Sequence, residues 1–138
     1  MLQIGDIVDV SNASENETVR CTVTSMRLDK SDEYTCQAEA ILNRYVWKRE
    51  TITRYGLDGR YAVWPEERLT LIGSRDDIPT QPYRVGDKVY IRDEGSTIHT
   101  IGTIRHNPTG YKYELYAKGS SRYVGEHQIV SAEPYTLF

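Results

Sequence analysis

Two segments of the chain open in the same way. Ile4-Gly5-Asp6-Ile7-Val8-Asp9-Val10 and Val85-Gly86-Asp87-Lys88-Val89-Tyr90-Ile91 both pass from a Gly-Asp bend into an alternation of apolar and polar residues. Period-two alternation leaving a tight turn predicts a short, half-buried strand. Carried forward without gaps, the comparison sets Val23 on Ile104. Worked back from the other end, Gly59, Glu66 and Leu69 fall on Gly119, Glu126 and Ile129. Gly5 to Glu66 is 61 residues and Gly86 to Glu126 is 40, so the first half carries about 21 extra residues. The pattern predicts an internal repeat of weak identity and regular grammar.

In the second half the alternation predicts strands over Lys88–Arg92, Thr100–His106, Tyr111–Ala117, Ser121–Val124 and Ile129–Ala132. Asn107-Pro108-Thr109-Gly110 and Lys118-Gly119-Ser120-Ser121 are turn signals between them. In the first half, Trp47–Tyr55 and Arg60–Trp64 predict a hairpin through Gly56–Gly59. The extra residues suggest a helix near 31–45, because Tyr34, Ala38, Ile41, Leu42 and Tyr45 fall on one stripe at helical spacing. Five short strands with tight turns remove their edges most easily by curling into a small barrel. The expected organisation is therefore a first barrel over 1–73, a polar linker over 74–82 holding Pro79 and Pro82, and a second barrel over 83–138.

With Gly5-Asp6 and Gly86-Asp87 ahead of the first strands, Gly102-Thr103-Ile104 in a second strand and Glu-led closing turns at Glu66 and Glu126, the chain resembles tandem SH3-like small barrel proteins. KOW-type and Tudor/Agenet-type modules and small SH3-like proteins of bacteriophages and bacteria share this grammar. The resemblance implies a mainly β protein of two five-stranded barrels, the first with a helical insertion. Relatives of this kind bind proteins, methylated or proline-rich peptides, or nucleic acid, so the fold alone names no function.

Composition narrows the choice. Among 138 residues, 17 Lys and Arg face 20 Asp and Glu, for a formal net charge of -3. That balance argues against coating duplex DNA or an anionic membrane. No apolar run approaches a membrane span, and MLQIGDIVDV lacks the build of a signal peptide, so a cytoplasmic protein is expected. Cys21 and Cys36 then read as buried free thiols. The acidic stretch Ser14-Glu15-Asn16-Glu17 offers a basic partner a contact and reads equally as a solvated loop.

The aromatic residues are unevenly chosen: eleven Tyr and two Trp against one Phe. Tyrosine and tryptophan join apolar area to a polar tip, which suits interfaces, although small cores also use them. Arg44, Lys48, Arg49, Arg54 and Arg60 lie among Trp47 and Tyr61, a mixture suited to single-stranded nucleic acid and equally to an alternating solvated face. His99, His106 and His127 lack metal-ligand spacing, and no nucleophile, P-loop or dinucleotide motif is present. No catalytic residue, metal or cofactor is expected. The reading is a non-enzymatic protein–protein interaction module; the resemblance to small phage and bacterial SH3-like proteins implies one that modulates a host factor. Its expected partner-binding residues are Tyr45, Trp47, Arg49, Arg54, Tyr90, Tyr111, Tyr113 and Tyr123. The alternatives are a single-stranded nucleic-acid binder and an enzyme with a site formed between the halves.

Overall fold

The computed structural model describes residues 1–12 and 17–132. Its strands are β1 (Asp6–Asn12), β2 (Glu17–Glu39), β3 (Arg44–Leu57), β4 (Val63–Pro65), β5 (Leu69–Ser74), β6 (Lys88–Ile91), β7 (His99–Asn107), β8 (Gly110–Ala117), β9 (Ser120–Gly125) and β10 (Ile129–Ser131). Short 3-10 turns at Glu66–Arg68 and Glu126–Gln128 lead into β5 and β10. The five strands of the second half lie within two residues of their predicted bounds at each end.

The expected pair of closed barrels is not what forms. All ten strands belong to one open sheet, ordered β10-β6-β7-β2-β1-β5, with β3 and β4 branching from β2 and β8 and β9 from β7. The joint is the antiparallel pairing of β2 with β7, through Ser25 with Arg105, Met26 with Ile104 and Arg27 with Thr103. That pairing uses strand positions which barrel closure within each half would need. The tandem SH3-like description, and the KOW- and Tudor/Agenet-type resemblance with it, is therefore set aside.

One row of side chains shows why the joint is stable. Cross-strand partners share a face, so the pairings align Val124, Tyr113, Ile104, Met26, Tyr55 and Trp64 across β9, β8, β7, β2, β3 and β4. Tyr113, Ile104, Met26 and Tyr55 are almost wholly buried, and Val124 joins them in the core. Val8, Val23, Val89, Ile101, Leu115 and Ile129 extend the same cluster, so both halves feed one apolar core. A fully buried apolar side chain of such a row, as at Ile104 or Met26, contributes roughly 1.5–3 kcal/mol by leaving water.

The segment before β6 also enters this core. Gln81 is buried, accepting from the Ile4 amide at 2.9 Å and donating to the Tyr83 carbonyl at 2.9 Å. Tyr111 donates its hydroxyl to the Pro79 carbonyl. Ile78 packs where a side chain on Gly5 would stand, and Gly5 has a positive φ of 97°.

The predicted helix is absent: residues 31–39 continue β2, 44–57 form β3, and residues 40–43 turn between them. A spacing of four also returns a side chain to the same face of a strand, so Tyr34 and Ala38 fit either period. Ile41 and Leu42 complete the helical stripe only because they occupy the turn. Thr35, Val46, Thr51, Ile52 and Thr53 supply the β-branched character that favours strands.

On the opposite face, Tyr116 donates to Glu114 Oε1 at 2.6 Å and Thr103 Oγ1 donates to the same oxygen at 2.9 Å. Gly102 makes room for this, because a Cβ there would stand 1.9 Å from Tyr116 Cε2. Gly102→Ala should displace the half-exposed ring, break its hydrogen bond and cost about 1–2 kcal/mol in a urea titration. In a Tyr116→Ala background the same change should cost almost nothing, and an equal cost there would refute the explanation.

Burial alone would raise the Glu114 carboxyl, but hydrogen bonds from Tyr116, Thr103 and Tyr123 outweigh it and hold the group below its ordinary range. Its contribution to stability is thus full above the ordinary carboxylate value and is lost as pH falls through the lowered one. Glu114→Gln should flatten the acid side of the melting profile, below the ordinary carboxylate range. An unchanged slope would contradict that linkage.

Candidate interaction arm

Past Lys30, β2 leaves its other neighbours. Its residues 31–39 pair with β3 alone, through Tyr34 with Arg49, Cys36 with Trp47, Ala38 with Tyr45 and Glu39 with Arg44. β3 in turn meets β4 only at Arg54–Gly56. Residues 31–50 therefore make a two-stranded arm of roughly 30 Å at about 3.3 Å per residue. None of its side chains is buried.

Pairing and the two-residue period sort the arm into two faces. Tyr34, Cys36, Ala38, Tyr45, Trp47 and Arg49 share one; Thr35, Gln37, Glu39, Arg44, Val46 and Lys48 share the other. Aromatic exposure is high, with Tyr34 at 60%, Tyr45 at 79% and Trp47 at 67%. At the tip, Ile41 is 97% exposed and Leu42 58%, and Asn43 turns the chain with φ 48°. On the polar face Glu39 pairs with Arg44 at 3.0 Å and Lys48 at 3.6 Å.

The base of the arm is fastened by arginines. The β2–β3 register shifts between Lys30 and Tyr34, which takes carbonyls there out of the regular ladder. Arg49 Nε donates to the Ser31 carbonyl at 2.6 Å, and Arg54 Nη2 donates to that of Lys30 at 3.4 Å. Arg54, only 9% exposed, also pairs with Asp29 at 3.4 Å and Asp32 at 3.3 Å. The backbone amide of Lys30, with Arg27 and Arg54 nearby, holds the Asp29 carboxyl below its usual range against the opposing effect of burial. The Arg49 guanidinium lies 5.6 Å from the Tyr34 ring centre.

The eight residues expected to bind a partner are thus distributed unevenly. Tyr45, Trp47 and Arg49 come together on the arm, and Arg54 is built into its base. Tyr111 and Tyr113 are buried, Tyr90 is half-buried on β6, and Tyr123 is exposed on the face that carries Glu114. Cys21 is buried as expected, whereas Cys36 is exposed because its segment is arm rather than helix. Residues 14–16 of the acidic stretch lie outside the described residues. Sequence reasoning placed Tyr34, Ile41 and Leu42 on a helix stripe, so their joint exposure was missed.

Away from the arm's residues, a cleft of about 650 Å³ is lined by Tyr83, Arg92, Tyr111, Lys112, Glu126 and His127 among others. Arg92 Nε there donates to the His127 carbonyl at 2.8 Å. Among the described residues, no group of three or more His, Cys, Asp and Glu could hold a metal ion. No helix there is long and apolar enough to cross a membrane. Compared with known proteins, the chain matches no family model, no curated protein and no solved structure.

Proposed function

We propose that the chain is a non-enzymatic protein–protein interaction module whose binding element is the β2–β3 arm. The observation that carries this reading is the exposure of Tyr34, Tyr45, Trp47, Ile41 and Leu42 on a projection that buries none of its own side chains. Large apolar groups gathered on one element and left in water are the usual mark of a contact surface. Tyr and Trp are the side chains that concentrate binding energy at such surfaces. An exposed, unpaired Cys36 suits a reducing compartment and favours a cytoplasmic setting.

The same arm holds the aromatic and basic residues that suggested single-stranded nucleic acid. Their present engagements favour protein instead. Arg44 and Lys48 are paired with Glu39, and Arg49 and Arg54 are tied to backbone carbonyls. Over residues 30–50, Lys30, Arg44, Lys48 and Arg49 are balanced by Asp32, Glu33, Glu39 and Glu50. A backbone-tracking groove needs a surplus of positive charge.

Affinity capture with the tagged full chain, from nuclease-treated and untreated lysates of the cells that express it, tests this. A stoichiometric protein, a copy of this chain included, should survive nuclease and persist at moderate salt. Recovery of nucleic acid alone, or of proteins that vanish with nuclease, would favour the other reading.

A further inference from the structure

We infer that the occupant of the arm's β3 edge is the same edge of a second copy of this chain, in a two-fold, antiparallel pairing centred on Trp47. This rests on the arm being a protein-binding element and adds the identity of the partner. From Arg44 to Thr53 the outer edge of β3 has no strand beside it among the described residues. Protein edges of this length are usually blunted by proline or bulges. No proline occurs between Glu17 and Trp64, and the only shift within the arm lies at its base.

The sequence of that edge is self-complementary when reversed. Arg44-Tyr45-Val46-Trp47-Lys48-Arg49-Glu50 laid antiparallel on itself about Trp47 sets Arg44 opposite Glu50, Tyr45 opposite Arg49, Val46 opposite Lys48 and Trp47 opposite its own copy. Every position but the central one is used twice by the symmetry: two ion pairs, two tyrosine–guanidinium contacts, and one tryptophan pair on the axis. The axis stands perpendicular to the arm, so the two aromatic faces fall on the same side. The β2 edge does not share this property. Ser31–Glu39 carries Asp32, Glu33 and Glu39 and no cation, so self-pairing there gathers like charge.

The same register accounts for the apolar tip. The register ends at Arg44, where the turn of residues 40–43 begins, and so brings the tip of one copy, with Ile41 and Leu42, beside Ile52 and Thr53 of the other. Those two residues line a hollow of about 260 Å³ with Met1, Tyr55 and Pro65. Each arm would then rest its tip at the base of the other.

Analytical ultracentrifugation of the full chain and two charge reversals tests the proposal. Wild-type protein should form a dimer and stop there. Arg44→Glu and Glu50→Arg should each weaken it by at least about tenfold, since each sets two like-charged pairs across the axis. Mixing the two variants should restore a dimer, because Glu then faces Arg at both sites. Circular dichroism checks that each variant remains folded, as expected for changes on exposed arm positions. A wild-type monomer at about 100 µM, assembly beyond the dimer, indifference to either reversal, or no recovery on mixing would each overturn the proposal. A monomer that still captures another protein through the arm would overturn the self-pairing while leaving the arm's role as a binding element standing.

Discussion

Tyr113→Ala should destabilise the protein by about 3–5 kcal/mol, a large part of the stability of an ordinary domain. The residue is wholly buried in the row that joins the two halves, between Val124 and Ile104. Its ring meets Tyr83 edge-on at 5.6 Å and lies 6.4 Å from Tyr111, so truncation opens a cavity between three elements. Tyr113→Phe should behave in the opposite sense. Its hydroxyl is among the buried side-chain atoms that have no hydrogen-bond partner among the described residues. Removing it should be neutral or stabilise by up to about 1 kcal/mol. Urea titration of both variants decides the matter, and a large loss with Phe would mean that the hydroxyl has a partner not accounted for.

The row also makes an alkaline prediction. Burial, with Glu66 adding to it, pushes the Tyr55 phenol up to about 12 from 10.0. A raised phenol keeps its proton longer in the folded state, so its contribution is complete below the unfolded value. It is lost as pH rises from about 10 to about 12. Stability should fall over that window, and tyrosinate absorbance should lag in the folded protein. Tyr55→Phe should reduce both effects.

The second large effect is on binding. Replacing residues 31–50 by Asn-Gly should leave the melting temperature almost unchanged and abolish partner capture. Lys30 and Thr51 are directly paired, so a two-residue turn can close the strands there. The excised residues bury no side chain, and closing a shorter connection on folding costs no more chain entropy than closing the arm did. Arg54 keeps Asp29 and the Lys30 carbonyl after losing Asp32. Collapse of the fold on this change would show that the arm carries structural load.

How much of this was legible in the sequence depended on the range of the interaction. The strands of the second half could be read because their signals are local: alternation, Asn107-Pro108-Thr109-Gly110, and the glycine turn at Gly119. The pairing of β2 with β7 could not be read. Met26 and Ile104 alternate as they would in two separate barrels, and only tertiary packing distinguishes a shared edge from a closed one. The arm was mistaken for a helix because spacings of four suit both periods and the turn supplied the remainder. Trp47 and Tyr45 were recognisable as interface residues by type. Tyr113 was chosen on the same grounds and belongs to the core, since residue type states what a side chain can do and not which face it occupies. Arg54 carries the same lesson, as its charge suggested a free contact and its position makes it a fastener.

The claim that the arm is the binding element is tested most directly by capture with the full chain and the Asn-Gly variant side by side, from the same nuclease-treated lysate. The full chain should retain a stoichiometric protein partner, a copy of itself included, that the variant loses while melting at the same temperature. Equal recovery of that partner by both proteins would contradict the account and move the binding surface off the arm.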